Sequence, residues 1–191
     1  MDAVDISTAT TRDLDPRHGL GLSTEDLRPR WYAAHTCANH EKCVAGQLAA
    51  RSVEHFLPLY ESVRRWKDRR VTLQMPLFPG YVFVRLDLRD RLRVLQIPSV
   101  ARLVSFNGAP AALPDEEIET LRAGLQGGVQ ALPHPYLKIG KRVRITAGPL
   151  EGLEGILIRK KNAMRFVISL DLIQRSVVVD VDAGAVEPLP T

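Results

Sequence analysis

The sequence predicts an α+β protein in two parts: a mixed α/β domain at 30–126 and a smaller all-β barrel at 138–191. Three observations predict it. Strand-like alternation and helical spacing interleave up to residue 126. Residues 127–137 then break the pattern with Gly127, Gly128, Pro133 and Pro135, and read as a linker. Beyond them only short β-runs and turns remain, with no helical signal. The composition agrees. Of 191 residues, 45% are hydrophobic and 25% charged, which is globular rather than disordered.

Residues 1–29 form an expected disordered tail, rich in Thr, Asp, Gly and Ser and without a hydrophobic period. Trp31 to Cys37 alternates its side chains and suits a strand. Asn39 is the expected N-cap of a first helix carrying Val44, Ala45, Leu48 and Ala49. Ser52 to Val63 reads as extended. Val71 to Met75 reads as the returning arm of a hairpin, with the basic turn Arg64-Arg65-Trp66-Lys67-Asp68-Arg69-Arg70 between the two arms. Tyr81 to Val84 is strongly β-forming.

Leu88, Leu92 and Leu95 predict a short amphipathic helix that Pro98 stops. Ala101 to Phe106 is the next strand, and Asn107-Gly108 predicts a tight turn. Pro114-Asp115-Glu116-Glu117 opens a third helix with one apolar face of Ile118, Leu121 and Leu125. In the barrel, the strands are expected around Val143/Ile145, 155–158, 166–168 and 177–179. Gly148-Pro149 marks a turn, and Gly152 and Gly155 a turn and a bulge.

The charge is uneven. The chain has 26 Lys+Arg and 22 Asp+Glu, a net of +4. Residues 1–30 hold six acids and four arginines, so the remainder carries +6. That permits a polyanion partner. Two cysteines are too few for a disulfide scaffold, so a cytoplasmic protein is expected. No apolar run is long enough to span a membrane, no secretory signal is apparent, and no membrane partner is implied. Cys37-x2-His40-x2-Cys43 lacks the second ligand pair of a structural zinc site. No phosphate-binding glycine loop or nucleophile elbow is found. An enzyme, a cofactor and a metal are therefore not expected.

Two stretches carry a resemblance. Trp31-Tyr32, a helix, the basic hairpin and Phe78-Pro79-Gly80-Tyr81-Val82 resemble the N-terminal (NGN) domain of NusG-type transcription elongation and antitermination factors. Val143-Arg144-Ile145-Thr146-Ala147-Gly148-Pro149-Leu150-Glu151-Gly152-Leu153-Glu154-Gly155-Ile156 resembles the KOW motif of the SH3-like barrel that ends those proteins. The two occur in the family's order and together cover about 30–189.

The resemblance implies a binding protein. Trp31, Phe78, Pro79, Gly80 and Tyr81 fall where the family has the pocket for the clamp helices of RNA polymerase. Aromatic side chains grouped there suit a partner helix tip. Arg89 to Arg93 falls in the region that approaches the gate loop of the second large subunit. Leu150 and Leu153 are candidate exposed contacts of the KOW domain, toward RNA or a ribosomal small-subunit protein. The first helix, where the RfaH branch reads non-template DNA, presents His40, Lys42, Gln47 and Arg51 as candidates. Arg64, Arg65, Lys67, Arg69 and Arg70 are candidate phosphate contacts, to DNA or nascent RNA, with Trp66 able to stack on a base. Residues 76–84 look like the RfaH and UpxY branches, which serve polysaccharide operons. The expected function is suppression of pausing or termination by a monomer that bridges the polymerase clamp. A KOW-containing RNA-binding or ribosome-associated protein is the alternative.

Overall fold

Arg30–Thr36 (β1) lies inside an antiparallel sheet because both of its side-chain sets are apolar. The computed structural model describes residues 28–66, 69–137, 140–160, 163–181 and 183–189. The tail expected at 1–29 lies outside these up to residue 27, as do Lys67 and Asp68 of the basic turn. β1 pairs with Tyr81–Leu86 (β5) and with Val100–Leu103 (β6). β5 also pairs with Glu54–Phe56 (β2), giving the order β2-β5-β1-β6. Ala112–Leu113 (β9, numbered in chain order) joins β1 at Trp31 and Tyr32.

Alternation divides this sheet cleanly. Tyr32, Ala34, Val82 and Val84 face one side and meet Val44 and Leu48 of the helix Glu41–Ala50 (α1). Burial of such aliphatic chains stabilises by about 1.5–3 kcal/mol each. Val94 of Arg91–Leu95 (α2) joins the same core. Trp31, Ala33 and Phe83 face the other side, toward Ile118 and Leu121 of Asp115–Gln126 (α3). Acids fill the first turn of α3 as expected, next to its positive dipole end.

Three local expectations are corrected. Asn39 does not cap α1. It is held at φ 62°, and His40 occupies the N-cap without a side-chain hydrogen bond. Leu88 belongs to a 3-10 turn at Leu88–Asp90, which is wound tighter than an α-helix. The phase therefore slips. Leu88, Val94 and Ile97 are buried, while Leu92 is 55% exposed. Asp87 supplies the N-cap of that turn, accepting from the Arg89 amide at 2.9 Å.

Leu59–Trp66 (β3) and Arg69–Pro76 (β4) form a separate two-stranded hairpin. A smaller one joins Ser105–Phe106 (β7) and Ala109–Pro110 (β8) through Asn107 and Gly108, both at positive φ as that dipeptide predicts.

The C-terminal part is a six-stranded antiparallel sheet. Its strands are Ala131–His134 (β10), Lys141–Ile145 (β11), Glu154–Lys160 (β12), Ala163–Leu170 (β13), Arg175–Asp180 (β14) and Val186–Pro188 (β15). They run in the order β10-β14-β13-β12-β11-β15. The segment read as a linker thus contains a strand, β10, whose Pro133 sits at the sheet edge, where a missing amide is tolerated. Gly155 is not a bulge. It stands opposite Val143 in unbroken register, and a Cβ there would lie 2.4 Å from the Val167 carbonyl oxygen and 2.6 Å from Phe166 Cζ. Glycine is needed for close approach, not for a turn. Gly152, at φ 89°, does serve a turn.

Candidate functional site

The Phe78-Pro79-Gly80-Tyr81 turn is pinned from two sides. Gly80 has φ 85°, a conformation costly for other residues. Its amide donates to Glu41 Oε1 at 2.7 Å, and its carbonyl accepts from the Thr36 amide at 2.8 Å. The Tyr81 amide closes the turn on the Phe78 carbonyl at 3.1 Å. Glu41 is buried at the start of α1. Its role is not visible in sequence order, because its partner is 39 residues away. An acid at the first helical position is the only local signal.

Register places the aromatic residues on one sheet face. The β1–β5 pairs Trp31↔Arg85, Ala33↔Phe83 and His35↔Tyr81 put these side chains on the side that α3 covers. Phe78 meets Phe83 edge-to-face at 5.4 Å, and Phe83 stacks on Phe56 at 6.1 Å. Tyr81 packs edge-on to His35 at 5.3 Å. The Trp31 indole donates to Glu119 Oε1 of α3 at 2.9 Å, satisfying its one polar atom. Pro79 is exposed.

This face is covered by the barrel. Trp31, Phe78, Phe83, Ile118 and Leu121 form one continuous apolar core with Val143, Leu150, Leu153 and Phe166. Leu150 and Leu153, expected as exposed contacts, are only 4% and 5% accessible. The reason is local. The Gly148-Pro149 turn carries Leu150 onto α3, where Gly124 leaves room for it. Arg175 of β14 places its guanidinium 5.9 Å from the centre of the Tyr81 ring, a cation–π contact.

A cleft of about 760 Å³ runs between the start of α3 and the barrel, lined by Glu117, Thr120, Leu137, Glu154 and Asp171 among others. Burial raises the pKa of Glu117, and the neighbouring charges of Asp171 and Glu154 raise it further. Arg142 and Arg144 hold Glu154 as a carboxylate, at 3.0 and 2.6 Å. The Arg144 hydrogen bond lowers its pKa.

The charged candidates divide into free and engaged groups. Arg64, Arg65, Arg69 and Arg70 are exposed on the β3–β4 hairpin. Trp66 is 57% exposed, with Arg69 over its ring at 5.9 Å. Lys67 lies outside the described residues. On α1, His40 and Lys42 are exposed, and Gln47 is half-buried and donates to Cys43 Sγ at 3.5 Å. Arg51 donates to the Arg93 carbonyl at 3.0 Å and so ties α1 to α2. Arg89 is bound to Asp87, with Nε to Oδ2 at 2.9 Å, and Arg91 donates to the Leu88 carbonyl at 3.0 Å. These arginines brace their own turns.

Among the described residues no cluster of His, Cys, Asp and Glu could hold a metal ion. Among them, no helix is long and apolar enough to cross a membrane. A NusG family model, described as transcription termination factor nusG, matches residues 29–122. The chain is 26% identical over 181 residues to the transcription termination/antitermination protein NusG of Vibrio vulnificus (strain CMCP6), covering 87% of this chain and 99% of that protein. The protein of the same name from Escherichia coli (strain K12) is 26% identical over 179 residues, covering 86% and 98%. Among solved structures, one described as "Domain interaction in Thermotoga maritima NusG" has a similar fold. Its TM-score is 0.51 and its identity 22%, covering 86% of this chain and 99% of that one. Residues 29–122 therefore match a NusG domain, and the chain is similar along most of its length to the NusG transcription termination/antitermination proteins.

Proposed function

We propose that this chain acts in transcription elongation and antitermination by binding RNA polymerase through the Trp31–Phe78–Pro79–Gly80–Tyr81 face. The observation that carries the reading is the aromatic face itself. The turn that presents it is fixed by Glu41 and Thr36, so little order is lost when a partner docks. The partner is the helical tip of the polymerase clamp, and Arg89 to Arg93 lies toward the gate loop. Holding the closed clamp shifts the polymerase population toward that state and lowers pausing, without chemistry.

The barrel covers the same face, so docking requires the barrel to leave it. Leu150 and Leu153 then become available for a second partner, RNA or a ribosomal small-subunit protein. The basic hairpin and the candidates His40, Lys42, Gln47 and Arg51 face nucleic acid beside the polymerase. The protein works as a cytoplasmic monomer, and its targets include polysaccharide operons. Pulldown of polymerase by the full chain tests the reading. Tyr81→Ala, at a half-buried position, should keep the fold and lose the polymerase. If polymerase is retained and only RNA or ribosome binding changes, the alternative of an RNA-binding or ribosome-associated protein holds.

A further inference from the structure

The β3–β4 hairpin has two chemically different faces. Paired residues of an antiparallel ladder share a face. The pairs Trp66↔Arg69, Arg64↔Val71, Ser62↔Leu73 and Tyr60↔Met75 line one of them. The pairs Arg65↔Arg70, Val63↔Thr72 and Glu61↔Gln74 line the other. The base of the first face is anchored, since Tyr60 packs on the main core and the Leu77 amide donates to the Pro58 carbonyl at 2.8 Å. The strands have eight residues each, so the tip stands roughly 25 Å from that base.

At the tip, Trp66 is over half exposed and is oriented by Arg69 above its ring. Arg64 follows on the same face, two residue pairs further in. Among the described residues no carboxylate pairs with Arg64, Arg65, Arg69 or Arg70. A ligand gains most here by covering the exposed indole and meeting the arginines at once. An unpaired base does so, because its ring stacks on indole while its phosphates meet guanidinium. A base inside a duplex offers no free ring face.

We infer that the Trp66–Arg69–Arg64 face is a stacking platform for single-stranded nucleic acid, selecting unpaired over paired strands. Arg65 and Arg70, on the opposite face, add phosphate attraction without that selection. Stacking on the ring and contact with the phosphates do not involve the sugar, so the platform takes DNA and RNA alike. The inference rests on the proposed nucleic-acid role of the hairpin and names its ligand.

The chain has two tryptophans, and Trp31 is fully buried. Fluorescence quenching of the full chain therefore reports on Trp66. The probes are oligothymidylate, oligouridylate and a duplex of equal length, at low salt. Both single strands should quench, and the duplex should bind more weakly without quenching. Trp66→Ala should lower single-strand affinity by roughly tenfold and leave duplex affinity unchanged, and Trp66→Phe should restore most of the loss. Arg65→Ser with Arg70→Ser should weaken both probes together and flatten the salt dependence. Equal binding of single strand and duplex, unaffected by Trp66→Ala, would overturn the platform and leave only phosphate attraction. Binding unaffected by any hairpin substitution would overturn the nucleic-acid role as well.

Discussion

Leu150 of the barrel occupies the space that a side chain on Gly124 of α3 would need. A Cβ built on Gly124 lies 2.2 Å from Leu150 Cδ2 and 3.0 Å from its Cγ. Two effects then oppose each other in Gly124→Ala. Within α3 the change favours helix by about 1 kcal/mol. At the domain contact it forces Leu150 outward. The N-terminal domain should therefore melt no earlier, while the barrel detaches more readily. Amide chemical shifts of 141–160 and the hydrodynamic radius report the detachment. Unchanged shifts around Leu150 would show that its side chain simply swings aside.

The domain contact should weaken as pH rises. Glu117 of α3 has a raised pKa, from burial first and then from Asp171 and Glu154 across the cleft. Arg142 and Arg144 neutralise part of the Glu154 charge, and the Tyr136 hydroxyl donates to Asp171 at 2.9 Å. When the barrel leaves, Glu117 returns toward its ordinary value of 4.5. Closure thus takes up a proton. Its stability is complete below that ordinary value and is lost as pH rises through the raised one. Glu117→Gln should hold the domains together and flatten this dependence, as read by chemical-shift titration. A wild-type chain whose closure strengthens with rising pH would reverse the sign.

Gly80→Ala should cost about 1–2 kcal/mol, the penalty of a side chain at positive φ. Glu41→Ala should cost about 1–3 kcal/mol, because the Gly80 amide loses its acceptor. Both act on one turn, so the double variant should cost less than the sum. Urea unfolding of the three variants measures this, and strict additivity would mean the two residues do not cooperate.

Gly155→Ala should destabilise the barrel by about 1–3 kcal/mol. The new Cβ meets the Val167 carbonyl, a backbone atom that cannot rotate away. Hydrogen exchange should quicken in β12 and β13 and not in β1 or β5. Exchange unchanged in the barrel would show that the strands separate without cost.

Local chemistry made much of this fold legible. Asn107-Gly108 named its turn, the acids after Pro114 named a helix start, and alternation in Trp31–Thr36 named a strand buried on both faces. The misses have physical reasons. Leu88, Leu92 and Leu95 keep helical spacing, but a 3-10 turn shifted the phase. Gly155 looked like a bulge, yet its absent side chain makes room for Phe166. Pro133 argued for a linker, yet an edge strand accepts it. The largest miss concerns the site. Nothing in the spacing of Trp31, Phe78, Leu150 and Leu153 says that one core buries all four. Contact between segments far apart in the chain leaves no periodic trace in a sequence.

Capture of RNA polymerase by the full chain, compared among wild type, Tyr81→Ala and Gly124→Ala, addresses both the aromatic face and its cover. Gly124→Ala should retain more polymerase than wild type, because its face is more often open. Tyr81→Ala should retain little while still melting cooperatively as a folded chain. Undiminished capture by a folded Tyr81→Ala chain, with no gain from Gly124→Ala, would place polymerase binding elsewhere on the molecule.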